Sequence, residues 1–128
     1  MKEKIEKKQE NFKAPIKLEM LVTVVNRPKA DFFVDLLEQF EINMQMVTYG
    51  EGTASSELVN SLGLSTQKAV IFSIVRSDKI NKIKETLEEK FKTIRNGKGI
   101  SFTIPLSSVI GASIYQFMCN QNKKKEAK

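Results

Sequence analysis

A strand leading directly into an amphipathic helix occurs twice in this chain, about 50 residues apart. The two strands are Leu21-Val22-Thr23-Val24-Val25 and Ile71-Phe72-Ser73-Ile74-Val75. Runs this rich in β-branched residues predict central strands. After the first, Asn26-Arg27-Pro28 stops the strand, and proline at the first helical position starts a helix. Its apolar residues Ala30, Phe33, Val34, Leu37 and Phe40 keep helical spacing. After the second strand, Asp78 is expected to cap a helix whose stripe is Ile80, Ile83, Leu87, Phe91 and Ile94, with lysines and glutamates covering the rest. Both stripes read as core faces packed on a sheet.

Each unit has a partner strand. Asn43 to Tyr49 alternates Met44 and Met46 with Gln45 and Val47, and Ile100 to Ile104 forms a strand stopped by Pro105. With the third strand at Lys68 to Arg76, the order is β-α-β, insertion, β-α-β. That order specifies an α+β fold, a ferredoxin-like βαββαβ sandwich. The apolar run from Val109 to Tyr115 has the length of an additional C-terminal strand, one that needs a covering surface such as a partner subunit. At 128 residues the chain is one domain's worth. The expected division is a polar tail over 1–15, the domain over 16–118 and a basic tail over 119–128.

The net charge of +6 suggests nucleic acid until it is located. Residues 1–15 hold five lysines against three glutamates, and 122–128 hold four lysines against one, so the region between is close to neutral. Lysine-rich ends without aromatics read as solvated tails. There is no histidine, which excludes every triad, metal cluster or proton relay built on imidazole. The lone Cys119, in an apolar run, reads as a small buried hydrophobe, and a single cysteine fits a reducing compartment. No stretch is long enough to span a membrane and the N-terminus is too charged for a signal peptide, so a cytoplasmic location is expected.

Two glycine loops interrupt this frame. One is Gly50-Glu51-Gly52-Thr53, opening the insertion; the other is Arg95-Asn96-Gly97-Lys98-Gly99, between the second helix and fourth strand. Spaced glycines allow positive φ and let several N–H groups converge on an anion; they also occur simply as helix C-caps and turns. Inside the insertion, Ser55 or Ser56 could cap a short helix that Gly63 ends, anchored by Leu58, Leu62 and Leu64.

The run Gly50-Glu51-Gly52, taken with Gly97-Lys98-Gly99-Ile100-Ser101-Phe102-Thr103-Ile104-Pro105, resembles the P-II family of nitrogen regulatory signalling proteins and their P-II-like relatives. The resemblance covers roughly residues 17–115 and is that of a divergent branch. It implies a homotrimer without catalysis of its own, holding an adenine nucleotide in clefts between subunits. It also implies an output loop, here Gly50 to Gln67, that touches a target enzyme or transporter. The ligand contacts it implies are Gly50, Gly52, Thr53, Arg95, Gly97, Lys98 and Gly99, and the partner-facing residues are Glu51, Ser55, Ser56, Glu57 and Leu58.

The chain departs from that pattern in its charges. Thr53 stands where the nitrogen regulators have an arginine, Ile100 where they have a lysine, and Gly111 and Ser113 where they have two arginines. A bidentate arginine contributes well beyond a neutral hydrogen bond, so the expected ligand depends less on triphosphate charge than ATP does. The output loop lacks the exposed tyrosine used for nucleotidylation, and Tyr49 reads as a sheet or interface aromatic. Three other readings stand beside this one. They are a P-II-like protein acting by protein contact alone, an RNA-binding ferredoxin-like module, and a small phosphatase using Arg27, a residue otherwise read as a solvated helix-start cation. The RNA reading suffers because Lys98-Gly99 and Phe102 lead into the fourth strand, not the third. The phosphatase reading lacks a glycine-rich cradle around Asn26-Arg27-Pro28.

Overall fold

In the computed structural model, which describes residues 16–53, 55, 57 and 65–119, four antiparallel strands form one sheet with two helices on one face. The strands are β1 (Leu18–Asn26), β2 (Met44–Glu51), β3 (Gln67–Arg76) and β4 (Gly99–Pro105), in the spatial order β2-β3-β1-β4. The helices are α1 (Ala30–Glu38), α2 (Ile80–Thr93) and a short α3 (Ala112–Met118). The βαββαβ order is the one that the duplicated strand-helix units specify. Register follows from the two central pairings, Val22 opposite Phe72 on β3 and Val22 opposite Phe102 on β4.

Side chains alternate between the faces of a strand, and the alternation divides this sheet sharply. Leu21, Val25, Ala69, Ile71 and Val75 point to the helices, where they pack with Ala30, Phe33, Leu36, Leu37, Ile80, Ile83 and Leu87. Phe33 is the centre of this core, edge-on to Phe32 and tilted against Phe91. Burial of a side chain of that size stabilises the fold by about 2–3 kcal/mol. Thr23 and Ser73 share the helix face and are fully buried. Thr23 shares a hydrogen bond with the Ser101 hydroxyl (2.9 Å), and Ser73 donates to Gln45 Oε1 (3.1 Å).

The other face is apolar and, over most of its area, uncovered. It carries Met46 (60% exposed), Ile100 (60%), Phe102 (45%) and Ile104 (42%), beside half-buried Met20, Val24, Val70 and Phe72. Among the described residues, only α3 covers it, at its lower end. There Met118 and Cys119 pack on Leu18, Met44 and Ile74, and Tyr115 donates its hydroxyl to the Ile16 carbonyl. Cys119 is the buried small hydrophobe that its neighbours suggested.

Two local expectations are corrected here. The fifth strand does not form, because Ala112–Met118 is a helix entered from Gly111 at φ 105°. An apolar run without polar alternation fits a strand or a buried helix equally well, and the i, i+3, i+4 spacing of Tyr115, Met118 and Cys119 is what the sheet end selects. Asp78 does not cap α2, since a 3-10 turn at Ser77–Lys79 precedes the helix and places Asp78 inside it. The carboxylate pairs with Arg76 instead (2.9 Å), and accepting that hydrogen bond holds Asp78 below the usual carboxylate range. The short helix expected at Leu58–Leu62 lies outside the described residues, as do the two tails. Among the described residues, no helix is long and apolar enough to cross a membrane.

Candidate functional site

Because all four strands are antiparallel, the ends of β1 and β2 and the starts of β3 and β4 lie at one end of the sheet. Gly50 is opposite Lys68, Asn26 is opposite Lys68 on the other side, and Val25 is opposite Gly99. Both glycine loops therefore emerge at that end, but from opposite edges. At the usual strand spacing they stand roughly 14 Å apart across the sheet. Within one chain they flank the end of the sheet and do not converge on a single point.

The residues expected at the loops are placed as follows. Glu51, Gly52 and Thr53 are exposed at the exit of β2, as are Ser55 and Glu57 beyond them; Ser56 and Leu58 lie outside the described residues. Gly52 donates its N–H to the Thr66 carbonyl (2.6 Å), closing the neck of the insertion. Arg95 and Lys98 are exposed, and Gly97 is buried with its N–H donated to the Ile94 carbonyl (3.0 Å). The amides of Gly52 and Gly97 thus already serve the fold.

The expectation of positive φ at the glycines is also corrected. In the 95–99 loop the left-handed residue is Asn96, at φ 57°. Asparagine tolerates that region because its short polar side chain bonds locally. Gly97 and Gly99 are glycines for lack of space. A Cβ on Gly97 would meet Ile94 Cβ at 2.8 Å, and one on Gly99 would meet the Val24 carbonyl oxygen at 2.6 Å and Phe91 Cε1 at 2.9 Å. Beside Gly99, a cleft of ≈ 310 Å³ runs between α2 and β4, lined by Leu87, Phe91, Ile100 and Phe102.

Two residues at the end of β1 matter more here than their sequence context suggests. Arg27 is half-buried rather than solvated. Its guanidinium lies 5.1 Å from the Tyr49 ring centroid and donates from Nη2 to the Gly50 carbonyl (3.2 Å). Its Nε is buried and has no hydrogen-bond partner among the described residues. Arg27 thus clamps the strand at the root of the insertion, and Tyr49 acts as the sheet aromatic expected of it. The clamp predicts a measurable effect: Arg27→Ala removes one hydrogen bond and a cation–π contact, each on the order of 1 kcal/mol. Limited proteolysis should then cut within residues 50–67 several times faster, with the thermal midpoint changed by only a few degrees. An unchanged cleavage rate would mean that Arg27 does not hold the loop.

Asn26, immediately before it, is 4% exposed and makes three side-chain hydrogen bonds. Its Oδ1 accepts from Lys68 Nζ (2.8 Å) and from the Ser65 N–H (3.2 Å), and its Nδ2 donates to the Asn96 carbonyl (3.0 Å). Burial pushes the Lys68 ammonium below its ordinary pKa. In sequence, Asn26 reads only as part of a strand stop, and Arg27 as a solvated helix-start cation or the anion holder of a phosphatase. The signal available was their position, polar residues ending a central strand that the fold directs to the same end as both loops.

No protein-family model matches the chain, and no curated protein matches it. Solved structures do. A protein of Thermus thermophilus described as a PII-like signalling protein superposes with a TM-score of 0.57 at 16% identity, covering 77% of this chain and 95% of its own. CPII, a nitrogen regulatory PII-like protein from Thiomonas intermedia bound to ADP, AMP and bicarbonate, gives 0.53 at 18% identity, covering 73% and 97%. A Bacillus cereus protein related to NIF3 gives 0.53 at 15% identity over 75% of this chain, but this match spans only 27% of that longer protein. With the first two covered almost completely at TM-scores above 0.5, this chain has the fold of the PII-like signalling proteins.

Proposed function

We propose that the protein is a non-catalytic regulator that binds a small anionic effector, an adenine nucleotide, in clefts between the subunits of a homotrimer. Occupancy is relayed to a target enzyme or transporter in the cytoplasm through residues 50–67. The observation that carries this reading is the placement of the glycine loops at one end of the sheet on opposite edges. A ligand touching both kinds of loop needs two chains, one supplying its β2 edge and the neighbour its β4 edge. The uncovered apolar face that carries Met46 and Phe102 gives such neighbours a surface to pack on. ADP and AMP bound to the Thiomonas protein support the ligand class. Lys98 and Arg95 are the cations near the second loop, and Arg27 stands at the root of the first.

Binding at Gly50 and Gly52 would favour one arrangement of the loop they anchor over another, which is all that a relay requires. Gly52→Leu tests this. A Cβ there meets the Thr66 carbonyl oxygen at an ordinary 3.7 Å, so the fold tolerates it while the larger side chain fills the ligand's approach. Calorimetry against ATP, ADP and AMP should show affinity falling on the order of tenfold, equivalent to about 1.4 kcal/mol. Equal affinity in wild type and variant would sink the mechanism.

A second reading is favoured by a specific observation. The amides of Gly52 and Gly97 are used within the fold, and the four cationic anchors of the nitrogen regulators are absent. A PII-like protein acting by protein contact alone fits those facts. It predicts no heat with any nucleotide and no ligand retained in a native mass spectrum of the purified protein.

A further inference from the structure

Asn26 lies where the exit of the insertion and the 95–99 loop approach the same side chain. The two segments make no backbone hydrogen bond to each other among the described residues, because the end of β1 stands between the start of β3 and the start of β4. The Asn26 carboxamide spans that gap. Its oxygen faces the β3 side, held by the Lys68 ammonium and the Ser65 amide; its nitrogen faces the β4 side, holding the carbonyl of Asn96. A carboxamide is planar and asymmetric, so the group that fixes its oxygen also fixes where its N–H points. On the β4 side it holds Asn96, the residue whose left-handed φ of 57° sets the turn into Gly97.

We infer that Asn26 is a positioning residue that ties the exit of the insertion, where Thr66 holds the Gly52 amide, to the 95–99 loop, so that ordering Ser65 and its neighbours also orders the 95–99 loop. The inference rests on the effector reading for its regulatory meaning, since the tied loops are those proposed to line two different clefts. Ligand bound at one cleft would then be felt, through one buried side chain, at the other cleft that the same chain lines. Burial is what gives the tie its effect. At 4% exposure water cannot replace a lost partner, so the carboxamide cannot release one side without disturbing the other.

The test perturbs one side and reads the other. Lys68 reaches the 95–99 loop through Asn26, whose Oδ1 its ammonium bonds. In the full chain, Lys68→Met removes one of the two donors that hold that oxygen and should speed amide hydrogen exchange at Gly97 by about fivefold, the loss expected for one net hydrogen bond. Lys68→Arg, which keeps a donor, should restore the wild-type rate. Asn26→Asp keeps the acceptor for Ser65 and Lys68 but loses the donor to Asn96. It should speed exchange at Gly97 while leaving Ser65 protected. Exchange at Gly97 unmoved by Lys68→Met, or unmoved by Asn26→Asp, overturns the tie. With ADP as the probe, both loops should gain protection in the wild type and only one in Asn26→Asp. If ADP protects neither loop of the wild type, the effector reading fails, and the Lys68→Met result decides the tie on its own.

Discussion

Gly99→Ala is expected to lower stability by about 2–3 kcal/mol, a large loss for one methyl group on an edge strand. The added Cβ would lie 2.6 Å from the Val24 carbonyl oxygen and 2.9 Å from both Phe91 Cε1 and Val25 Cγ1. The oxygen belongs to the backbone of β1, a central strand, and cannot move without breaking the β1–β4 ladder. Relief therefore has to come from displacing the start of β4. Urea denaturation should show the midpoint falling with the slope unchanged, and the thermal midpoint should drop on the order of 10 °C. Gly50→Ala is the matched control, because nothing lies within 4 Å of its Cβ position. It should leave stability within about 0.5 kcal/mol of wild type. If the two variants are equally stable, Gly99 is not there for packing, and the ligand role implied by its loop becomes its main explanation.

Phe102→Glu should convert an assembled protein into single chains. Phe102 is 45% exposed on the uncovered sheet face, midway along the edge strand β4, opposite Val22 on β1 and near Ile100 and Ile104 on its own strand. A subunit packed there would enclose it. Burying an unpaired carboxylate costs several kcal/mol, so the association constant should fall on the order of a thousandfold. The isolated chain should fold as before, since its helix-side core does not include residue 102. Native mass spectrometry reads both species directly. A wild type that is already a single chain would overturn the subunit-cleft reading, and a variant that stays assembled would place the interface elsewhere.

Much of the architecture is legible in the chain. Helix and strand types follow from period: 3.6 for Phe33, Leu37, Ile83 and Leu87, and β-branched continuity for Leu21–Val25 and Ile71–Val75. The two expectations about secondary-structure elements that fail share a cause. The Val109–Tyr115 run and the Asp78 cap rest on composition in a short window, where helix and strand, or cap and ion pair, are equally compatible with the residues. Long-range partners decide them: Leu18, Met44 and Ile74 for the terminal helix, and Arg76 for Asp78. The candidate site is legible as two loops and illegible as a geometry. Spaced glycines advertise conformational freedom, yet at Gly97 and Gly99 the backbone keeps ordinary φ and the missing Cβ leaves room for Ile94, Val24 and Phe91.

By itself, the sequence determined the βαββαβ order, the helix-side core and the exclusion of imidazole chemistry, because these depend on periodicity and composition that no packing arrangement can alter. Only the tertiary structure decided which polar groups meet. Asn26, Lys68 and Asn96 are up to 70 residues apart in the chain and adjoin through one carboxamide. Arg27 reaches Gly50 across the same sheet end. Contacts of that kind depend on strand order and register, which bring distant residues within hydrogen-bond reach by a global arrangement that no local pattern encodes.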